Sequence, residues 1–93
     1  MYYTYIIYSK SIDKYYVGYT SDIDLRISRH NSGWGKFSSR GIPWQLVYLE
    51  KFELKRDAIR RETEIKNKKS RKYIEELIRN AESVPTYRGG RPD

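Results

Sequence analysis

Hydrophobic and polar positions along this chain change period several times, and each change marks an element. The stretch Tyr2-Tyr3-Thr4-Tyr5-Ile6-Ile7-Tyr8 is dense in aromatic and β-branched residues, the composition of a strand. A polar turn, Ser9 to Lys14, leads into Lys14-Tyr15-Tyr16-Val17-Gly18-Tyr19, which reads as the returning strand of a hairpin. Side chains alternate faces along a strand, so Tyr3, Tyr5 and Ile7 share one face of the first. Gly18 inside the second suggests a bulge or a close approach to the backbone, for instance by a ligand. A helix follows. Ser21 is a suitable N-cap with Asp24 three residues on, Asp22 and Asp24 suit the positive helix N-terminus, and Gly33 can end the last turn.

Past that helix, residues 31–43 form a loop rich in Gly, Ser and cations, and Trp44 to Phe52 reads as a third strand. Lys55 to Lys68 has the helical period, with Ala58, Glu62 and Ile65 along one stripe. Ser70 can cap a final short helix whose Ile74, Leu77 and Ile78 pack inward. The order β-β-α-β-α-α predicts an α/β chain of the α+β type, a small three-stranded antiparallel sheet flanked by helices, over residues 1–82. Residues 83–93 hold Gly89-Gly90 and two prolines and read as a flexible tail.

Composition narrows the partners. The chain of 93 residues is one domain, with 19 Lys and Arg against 12 Asp and Glu and a formal charge of +7. A basic surface favours polyanions, of which nucleic acid is the commonest, although charge alone does not indicate catalysis. The absence of cysteine excludes disulfides and Cys-based zinc sites, and a single histidine excludes a His-rich one. Neither a membrane-length apolar run nor the basic and apolar regions of a signal peptide is present, so no membrane partner and a cytoplasmic location are expected.

Chemistry resides in a spaced set of polar residues. Tyr5 is followed after ten residues by Tyr16-Val17-Gly18, then by Arg26, by His30 four residues on and one helical face along, and by Glu62. Taken singly, the tyrosines read as strand aromatics, Arg26 as a solvated charge and His30 as a partner of the helix C-terminal dipole. Glu62 differs, because its stripe should turn it toward the sheet, whereas Glu64 should point outward.

In this order and spacing the set resembles the GIY-YIG nuclease superfamily, and most closely its small stand-alone bacterial members. The resemblance covers roughly residues 2 to 80; the first triplet is degenerate, Tyr3-Thr4-Tyr5, and the second, Tyr16-Val17-Gly18, is a mild variant. It implies a divalent-metal-dependent DNA endonuclease hydrolysing phosphodiester bonds, in DNA repair or processing. Glu62 would hold a single Mg²⁺ or Mn²⁺, a hard cation that oxygen ligands suit, and Arg26 would pair with the scissile phosphate. One of the two tyrosines would activate the attacking water; Tyr5 is preferred, with Tyr16 and His30 orienting water and phosphate. Many members add an Asn a few turns beyond the Glu, but Asn67 and Asn80 do not fall at that spacing, and the role is unfilled.

Two cationic regions complete the picture. Lys66, Lys68, Lys69, Arg71 and Lys72 follow the Glu62 helix and read either as a solvated helix end or as a phosphate track. Trp34, Lys36, Phe37 and Arg40 mix aromatics with cations in the long loop, a combination suited to stacking on unpaired bases and touching the backbone of branched, single-stranded or duplex DNA. The alternatives to an enzyme are a catalytically weak nucleic-acid-binding module and a structural domain that keeps its tyrosines for packing.

Overall fold

Three strands and three helices follow one another in the expected order in the computed structural model, which describes residues 1–33 and 39–81. Strand β1 (Tyr2–Ser9) lies between β2 (Lys14–Thr20) and β3 (Trp44–Phe52) and runs antiparallel to both. Its central position explains its composition. Thr4, Tyr5, Ile6 and Ile7 are each fully buried, which alternating side chains allow only when both faces of the sheet are covered.

Helix α1 (Ile23–Asn31) covers one face, where Tyr5, Ile7, Ile23 and Trp44 form a core layer. Helix α2 (Lys55–Lys68) covers the other, where Ile65 packs with Ile6, Val17 and Tyr48, and α3 (Arg71–Asn80) adds Ile74, Leu77 and Ile78 to that layer. A register shift between Ile6 and Ile7 places Tyr48 and Leu46 opposite them, so Val47 is an extra residue in β3. Such a bulge strengthens the local twist of a sheet.

The entry into α1 differs from expectation by one residue. Asp22, not Ser21, is the N-cap: its carboxylate accepts from the Leu25 N–H at 3.1 Å. Thr20 decides this. Its hydroxyl accepts from the Asp22 N–H at 3.1 Å and donates to the Asp22 carbonyl at 3.2 Å, so Asp22 is held in extended geometry at the mouth of the helix. A cap of this kind contributes about 1 kcal/mol. Gly33 takes a positive φ of 84° just beyond the end of α1, as its lack of a side chain permits.

Two ties fix α2 against the sheet. The Thr4 hydroxyl donates to the Ala58 carbonyl at 2.8 Å, joining the central strand to the first turns of the helix. On the β3 side, Arg61 Nε donates to Glu50 at 2.9 Å and its Nη1 reaches Glu64 at 3.1 Å and Tyr73 at 3.3 Å, while Tyr48 donates to the same Glu50. At the α2–α3 junction Lys69 adopts the left-handed conformation and Ser70 caps α3 by accepting from the Tyr73 N–H at 3.1 Å. Trp34, Lys36, Phe37 and the tail over 83–93 lie outside the described residues.

Candidate active site

Tyr5 and Gly18 are directly paired across β1 and β2, so both face α1. Pairing is continuous through Gly18, without a bulge, and the group that approaches its backbone is the Tyr5 ring. The ring points toward α1, where Tyr5 Oη and His30 Nε2 share a hydrogen bond of 3.1 Å. Tyr16, on the same face of β2, places its ring edge-on to the imidazole with centroids 4.9 Å apart. Trp44 stands 6.3 Å from both rings, at the start of β3.

His30 is held there by its neighbour in sequence. The Asn31 amide donates to the Trp44 carbonyl at 3.1 Å and its oxygen accepts from the Trp44 N–H at 2.5 Å, locking the end of α1 to β3. Asn31 and Trp44 are positioning residues that the sequence did not single out. Nothing in their spacing marks them, because the contact depends on where β3 begins relative to α1.

Charge reaches this group from two helices. Burial pushes the Tyr5 phenol well above the usual tyrosine range; Arg26 opposes that shift through its charge and a hydrogen bond, while Tyr16 and Glu62 add to it. Burial also lowers the His30 pKa, and the Arg26 charge lowers it further. The imidazole is therefore neutral at neutral pH, and Tyr5 keeps its proton. Tyr5 is completely buried whereas Tyr16 is only half-buried, so the tyrosines are not equivalent toward water.

Glu62 arrives from α2, turned inward as its stripe requires. Its side chain is 16% exposed against 54% for Glu64. Its carboxylate accepts from Lys66 Nζ at 2.8 Å, one helical turn on. Lys66 is half exposed, so this partner can swing out to solvent. Among the described residues no group of three or more His, Cys, Asp or Glu is placed to hold a metal ion.

The cationic run does not form one track. Lys66, Lys69 and Arg71 line a groove beside Tyr16, whereas Lys68 turns to the other side and lies 5.3 Å over the Tyr73 ring. Arg71 is engaged with Asp13 at 2.6 Å and Glu75 at 3.0 Å. Lys72 and Arg40 are exposed, and Lys36 is outside the described residues. Asn67 lies with Lys68 and Tyr73, and Asn80 with Tyr48 and Leu77, so neither approaches the tyrosines.

Two tyrosines from a hairpin, an arginine and a histidine from the following helix, and one carboxylate from the helix after the third strand define a catalytic domain of the GIY-YIG type. Residues 1–74 match the model of the GIY-YIG catalytic domain, and the chain belongs to this nuclease family. Its relatives are UPF0213 proteins. That of Staphylococcus saprophyticus is 46% identical over 65 residues, 69% of this chain and 78% of its own. That of Bacillus velezensis is 41% identical over 73 residues, covering 74% of each. The solution NMR structure of a UPF0213 protein from Bacillus halodurans, 41% identical, superposes with a TM-score of 0.53 over 84% of this chain and 83% of its own.

Proposed function

We propose that this chain is a DNA endonuclease that hydrolyses phosphodiester bonds with one bound Mg²⁺ or Mn²⁺, serving DNA repair or processing. The observation that carries the proposal is the convergence of Arg26 and Glu62, of opposite charge and from different helices, on the Tyr5–His30–Tyr16 group.

Glu62 fits the metal. Mg²⁺ uses one or two carboxylates and retains several waters, which a single shielded carboxylate with a displaceable lysine supplies. When bound, the cation offsets negative charge on the leaving oxygen. Arg26 pairs with the scissile phosphate, and its planar donors meet the charge that develops there. Tyr16, as the phenolate left once its own proton has passed to solvent, is the group that reaches the attacking water and takes its proton. Complete burial argues against Tyr5 in that role, because an ionised phenol without solvent is costly. Tyr5 and His30 instead form the hydrogen-bonded bed against which the Tyr16 ring is fixed.

The test is incubation with plasmid, branched and single-stranded DNA, with and without Mg²⁺ or Mn²⁺, for wild type and Glu62→Gln. Wild type should cleave only with metal, and Glu62→Gln should lose at least about 100-fold in rate. Its stability should change by less than about 1 kcal/mol, since the partner lysine is half exposed. Metal-dependent cleavage by Glu62→Gln at the wild-type rate would remove the assignment and favour a binding module.

A further inference from the structure

Between β2 and the α2–α3 junction runs a groove of about 580 Å³ that the chemistry above does not use. Its floor is apolar, formed by Val17, Ile65 and Ile74; Tyr15 stands along it, and Tyr16 borders it from β2. Its rim is cationic. Lys14 comes from the start of β2, Lys66 from α2, Lys69 from the junction and Arg71 from the first turn of α3.

The rim cations differ in what they have left to offer. Arg71 is committed to Asp13 and Glu75 and lies 5.1 Å over the Tyr15 ring, so it is a wall of the groove rather than a free charge. Lys66 is paired with Glu62. Lys14 and Lys69 are exposed and make no ion pair among the described residues, which leaves two rim cations for a ligand.

An apolar slot walled by Tyr15 and the planar guanidinium of Arg71 and bordered by exposed lysines matches one chemical object well: a nucleobase with a phosphate on either side. Flat π-faces stack on aromatic walls without sequence preference, and cations track the backbone. A pocket of this volume falls in the range that holds a small organic ligand. Position adds direction, because Tyr16 borders this groove from β2 while its ring meets His30 on the other face, and Lys66 joins the groove to Glu62. A strand lying in the groove would thus carry its next phosphate to Glu62.

We infer that this groove is a subsite for one unpaired nucleotide flanking the scissile phosphate, which directs the protein to single-stranded or branched DNA rather than continuous duplex. The inference rests on the proposed endonuclease reading for the location of the scissile phosphate. A base still paired in a duplex has its face covered by stacking and cannot enter the slot.

The experiment is methyl NMR of the metal-free protein titrated with a thymidine hexanucleotide and, separately, with a blunt-ended duplex of two fully paired strands. The hexanucleotide should shift the Val17, Ile65 and Ile74 methyl signals together, and the duplex should leave them in place. The double variant Lys14→Ala/Lys69→Ala, altered only at exposed positions, should bind the hexanucleotide about tenfold more weakly at low salt. Ile74→Trp, which fills the slot, should lose hexanucleotide binding while retaining duplex binding; the lysine variant keeps the test sound if that one does not fold. Methyl signals unmoved by the hexanucleotide, or moved equally by the duplex, would overturn the subsite. Cleavage without methyl shifts would remove the subsite and leave the endonuclease standing, whereas methyl shifts without cleavage would leave the groove as a nucleotide-binding site and remove both the endonuclease and the subsite's link to a scissile phosphate.

Discussion

The Tyr5 ring occupies the space that any side chain at position 18 would need. A Cβ built on Gly18 lies 2.6 Å from Tyr5 Oη and 2.7 Å from Cζ, closer than packed atoms approach. Since Tyr5 is fully buried and bonded to His30, it has little room to retreat. Gly18→Ala should therefore destabilise the protein by roughly 1–3 kcal/mol, as overpacked cores do, and displace Tyr5 from His30. Chemical denaturation gives the first effect. Pairing the change with Tyr5→Leu should recover stability but not cleavage; recovery of both would show that the Tyr5 ring only fills space.

His30 gives the fold a pH dependence with a defined sign. Its pKa is lowered by burial and by Arg26, so the unfolded chain binds a proton more readily than the folded one. Stability is then complete above the unfolded value near 6.5 and falls as pH drops below it toward the folded value. Urea midpoints measured from pH 7.5 to 5 should decline for wild type and decline less for His30→Gln. Parallel curves would place the titration elsewhere.

Arg61 holds the fold rather than the proposed site. It joins Glu50, Glu64 and Tyr73 with its side chain only 22% exposed, and Tyr48, pushed up to about 12 chiefly by burial, leans on the same Glu50. Arg61→Leu should cost about 1–3 kcal/mol, the usual loss on leaving a charged hydrogen-bonding partner unsatisfied. Since Glu62 is the next residue, cleavage should weaken even at temperatures where the variant is folded. A thermal melt combined with a cleavage rate at 15 °C separates the two effects, and unchanged stability would mean that Glu50 is satisfied by Tyr48 and water.

The opposite directions of Lys68 and Lys69 predict different salt behaviour. Each phosphate neutralised contributes about 0.9 to the slope of log affinity against log salt on duplex DNA and about 0.7 on single strands. Lys69→Ala should reduce that slope by nearly one such increment. Lys68→Ala should leave it unchanged, because its ammonium lies over Tyr73. Equal effects would indicate that binding extends around the end of α2.

Much of this fold was legible because local pattern and tertiary role coincide. The aromatic run of β1 marks a strand whether or not its neighbours are known, and the Ala58–Glu62–Ile65 stripe states which way α2 must face. Ser70 caps α3 as its sequence context suggests. The entry to α1 was misjudged because Thr20, whose hydroxyl selects Asp22 over Ser21, belongs to the preceding strand. For the same reason the Glu50–Arg61 tie, the Asn31–Trp44 clasp and the division of the lysines were not visible. They depend on the register of β3 and on helix rotation, which no local spacing encodes.

The Thr4–Ala58 hydrogen bond spans 54 residues and fastens α2, and with it Glu62, to the strand that carries Tyr5. The hairpin and α1 bring the tyrosines, Arg26 and His30 together from the first third of the chain, but the carboxylate joins them only when the helix after β3 has docked. Loss of that docking, by partial unfolding or during synthesis, leaves the hairpin and α1 without the carboxylate. On the proposed reading, cleavage then waits until the last-formed helix has joined the first third of the chain.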